Sequence, residues 1–171
     1  EASFKVGFGR FPIAGAAHYS DDWLYPRYGP GFRFHLGTDV FAAYGTPVRA
    51  PVDGIARTAT SNLGGLTVKV IMPDGTYFYL AHLSGLVEGF TQDMPVTTGD
   101  IVGYVGDSGN AKGGAPHLHL GIYPNGGDTS IAVNGMTVIG APIGGPTIFF
   151  QSGGNQIQSS AFRADITSLN L

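Results

Sequence analysis

No window of this chain repeats apolar residues at a 3.6-residue period over three turns, and that constrains the fold more than any other feature. What recurs instead is a short apolar run followed by a turn. LTVKVIMPDGTYFYLAHL, residues 66–83, sets two runs rich in Val, Ile and aromatics on either side of Pro73-Asp74-Gly75 and reads as a hairpin. GTPVRAPVDGIARTAT (45–60) reads as a short strand, an Asp-Gly turn and a second strand. PVTTGDIVGYVGDSGN (95–110) repeats the pattern, with a turn at Gly99-Asp100 and then the apolar run from Ile101 to Val105. The first 30 residues, with Pro12, Pro26 and Pro30 and several aromatics, read as irregular. The last 21 are polar and read as a terminal extension held against the body.

Composition narrows the classes of function. The 171 residues fit one domain. Charged residues make up 12%, half the usual share, and the net charge is −3, so the chain has no field to gather nucleic acid or an anionic membrane. No apolar run approaches the ~18 residues needed to span a bilayer. The absence of Cys excludes disulfides and thiolate metal sites. The chain starts at Glu1 with no signal-peptide pattern, which fits a leader already removed. The expected state is a monomer.

The five histidines carry the chemistry. In PHLHLG (116–121), His117 and His119 are two apart, so on a strand they share one face while Leu118 and Leu120 take the other. Alone, such a pair also reads as two histidines on a solvated strand. RFHLGTDV (33–40) brings His35 and Asp39, both good Zn²⁺ donors, around Gly37. That glycine argues for a bend or strand end; Asp39 as a turn cap is the other reading. His82 ends the apolar run YFYLAHLS, and strict alternation puts it on the face of Leu80 and Phe78. His18 reads as a surface or packing histidine.

These motifs in this order, His35-x-x-x-Asp39, His82 and His117-x-His119, resemble the M23 zinc peptidases, the LytM and lysostaphin group. RFHLGTDVFAAYGTPVRAPVDGIA, GTYFYLAHLS and TTGDIVGYVGDSGNAKGGAPHLHLGIY are similar to that family's entry, middle and closing segments. The resemblance covers about residues 27–123 as the core motifs of one domain over 1–150, with 151–171 as a C-terminal extension. It implies a mainly β fold, an antiparallel sheet sandwich with a barrel-sandwich-like core and a substrate groove across one sheet. It implies that His35, Asp39 and His119 bind one Zn²⁺ per chain and leave one position open, as catalytic zinc sites do. His82 and His117 would stand beside that position as proton-transfer groups. Which of them is the base stays open. With no H-E-x-x-H motif and no matching glutamate, histidine must fill that role. The implied substrate is the peptide of bacterial peptidoglycan, cut outside the cytoplasm, in the periplasm or at the cell wall. An inactive M23-like scaffold or regulator is the alternative, although such domains usually lose one or more of the five residues.

The resemblance also makes Tyr28, seven positions before His35, a candidate substrate-binding residue, as a donor to the developing oxyanion like a tyrosine in some relatives. With Trp23, Tyr25 and Phe32 it reads either as a groove wall or as core. GDSG (106–109) matches the segment around a trypsin-like serine, but His82 and Ser108 are too close in sequence and the chain too short for two barrels, so it reads as a glycine-rich turn. Gly103, Gly106 and Gly109 form no dinucleotide site, because no helix follows them. GDIVGYVG also resembles segments of lipoyl-type carriers, but Lys69 lies in a strand, not at an exposed hairpin tip.

Overall fold

A computed structural model describes residues 10–20, 22, 25–29 and 31–123. The extension expected at 151–171 lies outside them, as does Trp23. The described residues form eleven strands and one short 3₁₀ turn, and every strand pairing is antiparallel. The strands are β1 (Ala17–Tyr19), β2 (Pro26–Gly29), β3 (Gly31–Phe34), β4 (Thr38–Ala42), β5 (Pro47–Arg49) and β6 (Gly54–Ser61). They continue as β7 (Gly65–Ile71), β8 (Tyr77–Leu86), β9 (Met94–Val96), β10 (Ile101–Val105) and β11 (His117–Tyr123). Among the described residues no helix is long and apolar enough to cross a membrane.

The expected hairpin forms around Asp74, whose side chain accepts a 2.9 Å bond from the Thr76 amide. The Asp-Gly turn at Asp53 does not close a hairpin. β5 pairs with β10, whereas β6 pairs with β7 and β9. The main path runs β1-β4-β11-β8-β7-β6-β9, with β10 branching from β8 to reach β5. Val48 of β5 and Val102 and Val105 of β10 join Val40, Phe78, Leu80, Leu118 and Leu120 in one core cluster. Full burial of such side chains contributes about 1.5–3 kcal/mol each.

The N-terminal stretch corrects the sequence reading. β1 pairs with β4, Ile13 bridges Val48, and Phe11 and Ile13 are fully buried. Strands of three or four residues show no readable alternation, and their partners are distant in sequence. β2 and β3 form a separate two-stranded sheet that leads the chain into His35.

Candidate metal centre

The floor of the site is the face of β4, β11 and β8 opposite the core. His119 pairs with Asp39 on one side and Ala81 on the other, and His117 pairs with Phe41. Residues directly opposite share a face, so His117, His119 and Asp39 project together. Leu118, Leu120 and Val40 point the other way and are fully buried. Gly37 lets the loop before β4 close over this face. A Cβ there would lie 2.6 Å from the Leu120 carbonyl and 2.7 Å from the His119 ring.

Three donor atoms converge. His35 Nε2 lies 2.9 Å from His119 Nδ1 and 3.0 Å from Asp39 Oδ1, and His119 Nδ1 lies 3.1 Å from Asp39 Oδ1. His35 Nδ1 sits 3.0 Å from the Asp22 carbonyl, so a neutral ring would carry its proton there and offer the Nε2 lone pair to a metal. Two imidazole nitrogens and a carboxylate oxygen facing one point form a donor set that could hold a metal cation. Tetrahedral Zn²⁺ with bonds of about 2.0–2.1 Å sets its ligand atoms about 3.3 Å apart. The triangle therefore fits such an ion after opening by a few tenths of an ångström.

Electrostatics sharpens the picture. Burial works against the charge on His35, yet hydrogen bonds and charges from Asp22 and Asp39 outweigh it and push its pKa up to about 9. Burial likewise opposes charge on Asp39, but hydrogen bonds from His119 and His35 outweigh it and hold the carboxyl well below its usual range. Burial lowers His119, with Asp39 opposing. Asp39 Oδ2 is taken by Arg27, at 2.6 Å from Nη2. The same guanidinium reaches Asp22 at 3.4 Å. Arg27 and Asp22 thus brace the trio from outside, as outer partners of metal ligands do. Sequence reading missed both. The available signal was DDWLYPR, a knot of charge in a charge-poor chain.

His82 and His117 stand next to the trio, with ring centroids 4.9 Å apart. His117 Nδ1 donates to the Ala115 carbonyl at 2.9 Å, and its Nε2 lies 3.8 Å from Asp39 Oδ1. His82 Nδ1 donates to the Ser108 carbonyl at 2.8 Å. Each ring keeps a bare Nε2. Burial lowers His82 to about 4, with the Ser108 carbonyl opposing and the neighbouring imidazoles adding to the fall.

Strict alternation fails at His82. Leu80 is fully buried in the core, but His82 adopts φ +64° where the register of β8 shifts against β7 and β10. The irregularity turns its ring into the groove lined by His35, Asp39, His117 and His119. Such a conformation is uncommon for a residue with a side chain. Ser108 is a staple here. Its hydroxyl donates to Leu83 O at 2.7 Å and accepts from the Leu66 amide at 3.0 Å.

Tyr28 does not join this cluster. It is 84% exposed, packs on Phe32 at 5.7 Å between centroids, and lines a neighbouring depression. Tyr25, Tyr28 and Phe32 are all exposed, so they are not core. Tyr79, not singled out from the sequence, lines the groove with its ring edge-on to His119 at 6.0 Å. His18 stacks on Phe41 at 5.5 Å, a packing histidine at the sheet edge.

The model of peptidase family M23 matches residues 33–133. The chain belongs to this family. Among M23 relatives, the L-Ala–D-Glu endopeptidase of Bacillus subtilis (strain 168) is 36% identical over 124 residues, 69% of this chain and 38% of that protein. The chain thus spans well under half of that relative's length. A lytM protein from Ruminococcus gnavus superposes with a TM-score of 0.64 at 35% identity, covering 75% of this chain and 57% of that one. The catalytic domain of the antimicrobial peptidase lysostaphin from Staphylococcus simulans gives 0.53 at 30% identity, covering 75% and 84%. The antiparallel β architecture is shared throughout.

Proposed function

We propose that this M23 domain is a zinc-dependent endopeptidase that hydrolyses peptide bonds in the cross-links or bridges of bacterial peptidoglycan, outside the cytoplasm. The observation that carries this reading is the triangle of His35 Nε2, Asp39 Oδ1 and His119 Nδ1 at 2.9–3.1 Å, with two further imidazoles beside it. Relatives named as endopeptidases support the substrate class. A bound Zn²⁺ would supply a Lewis acid at the scissile carbonyl.

The chain's own groups supply the rest. His35, Asp39 and His119 hold the ion, oriented by the Asp22 carbonyl and by Arg27. His82 and His117, each fixed by a backbone carbonyl, present bare Nε2 atoms to the groove. One imidazole takes the proton of the attacking water as the C–O bond forms. The pair then delivers a proton to the amine nitrogen as the C–N bond breaks, so charge and protons balance. Neutral imidazole is the form this needs, and burial keeps His82 in it. Tyr28 takes the outermost place, as a substrate contact in the depression beside the groove.

Digestion of purified peptidoglycan, read by mass spectrometry, tests the proposal and identifies the bond. New amine termini should appear, disappear with excess chelator and return with Zn²⁺. Intact wall peptides across pH 5–9 with zinc bound would instead support an M23 scaffold or regulator.

A further inference from the structure

We propose that Arg33 anchors a carboxylate of the bound peptide, so that the groove selects a substrate with an acidic residue close to the bond it cuts. This inference rests on the peptidase reading. The observation behind it is a pair of like charges. Arg27 and Arg33 are directly opposite in the β2–β3 hairpin, an arrangement that costs stability unless each cation is offset. Arg27 is offset, by Asp39 at 2.6 Å and Asp22 at 3.4 Å. Arg33, half-buried, has no carboxylate partner among the described residues.

Its position says what could take that place. Arg33 lines both the metal groove and the adjoining depression, and Arg27, Leu63 and Asn110 also belong to both. The two spaces therefore share a boundary there. Apart from the histidines, the charged side chains among the described residues lining the groove are Arg27, Arg33 and Asp39. Arg27 and Asp39 are spent on one another, which leaves Arg33, among the described lining residues, as the arginine without a carboxylate partner on the path a peptide would follow past the metal. A guanidinium presents a planar fork of donors matched to a carboxylate, and a half-buried one holds an anion more firmly than an exposed one does.

The test uses two soluble stem peptides that differ at one group, a D-Glu with its α-carboxylate free or amidated. Binding is measured by calorimetry on zinc-loaded protein in the His117→Ala background, to prevent turnover. Cleavage is measured separately on the zinc-loaded wild type. The free-carboxylate peptide should bind about tenfold or more tightly than the amidated one. Arg33→Gln should erase that ratio by weakening the acidic peptide alone, and Arg33→Lys should keep part of it. Zinc content and thermal unfolding check that the variants fold. Equal binding of the two peptides, no binding of either, or an unchanged ratio in Arg33→Gln overturns the proposal. A clear ratio without cleavage would leave Arg33 in place and sink the peptidase reading instead.

Discussion

Two histidines of this groove, His35 and His82, have surroundings that pull them in opposite directions. His35 is held by the Asp22 carbonyl on one side and by Asp39 on the other, and its pKa rises to about 9. His82 is held by a backbone carbonyl without a direct carboxylate contact, and burial lowers its pKa to about 4. The first setting attracts a cation, which a proton fills when no metal is bound. The second keeps an imidazole neutral and able to accept a proton. Residue type alone does not separate these duties. Between His35 and His82, the direct carboxylate contact does.

The largest expected effects test that division. Asp39→Ala removes the carboxylate shared by His35 and His119, so zinc should fall to a small fraction of one per chain by elemental analysis and peptide hydrolysis should vanish with it. His35→Ala should do the same. By contrast, His82→Ala and His117→Ala should keep zinc and lose roughly 10²-fold or more in kcat, the scale of a positioned proton-transfer group. A zinc-free His82→Ala protein would erase the distinction between the two groups.

Next in size is the brace. Arg27→Gln leaves all five core residues intact but frees Asp39 Oδ2. Loss of an outer partner of this kind typically costs about 10–100-fold in metal affinity, which competition with a graded chelator series would measure. Unchanged affinity would show that the trio needs no outer support.

The pH dependence sharpens the comparison further. A pKa lowered to about 4 means that His82 takes up a proton only below that pH. An acid limb of kcat/KM near the free histidine pKa, about 6.5, would then belong to other groups. His82→Gln should lower the rate but leave the acid limb where it was. A limb displaced by more than one pH unit would assign it to His82. Smallest of all is Tyr28→Phe. Because Tyr28 is exposed and outside the metal groove, steady-state kinetics should change by no more than a few-fold. A large fall in kcat with KM unchanged would bring its hydroxyl to the reacting carbonyl.

Much of this was legible in the chain. The turn at Asp74-Gly75 and the runs around it define β7 and β8, and the two-residue spacing of His117 and His119 places them on one face with Leu118 and Leu120 buried behind. These are local rules of strand geometry, and local rules can be read from sequence. His82 was misplaced because its left-handed backbone breaks the alternation that the reading assumed. β1, β2 and β3 were missed because three- and four-residue strands carry too few alternations. Asp22 and Arg27 went unread because each acts across 12 or more positions, on His35 and Asp39, through contacts that no spacing encodes.

The central claim is that neighbours on one strand face, His117 and His119, have different duties. Zinc per chain in His117→Ala and His119→Ala, measured beside hydrolysis of peptidoglycan peptides, tests it most directly. The account predicts full zinc with little turnover for His117→Ala, and neither zinc nor turnover for His119→Ala. Zinc lost from His117→Ala and retained by His119→Ala would contradict it.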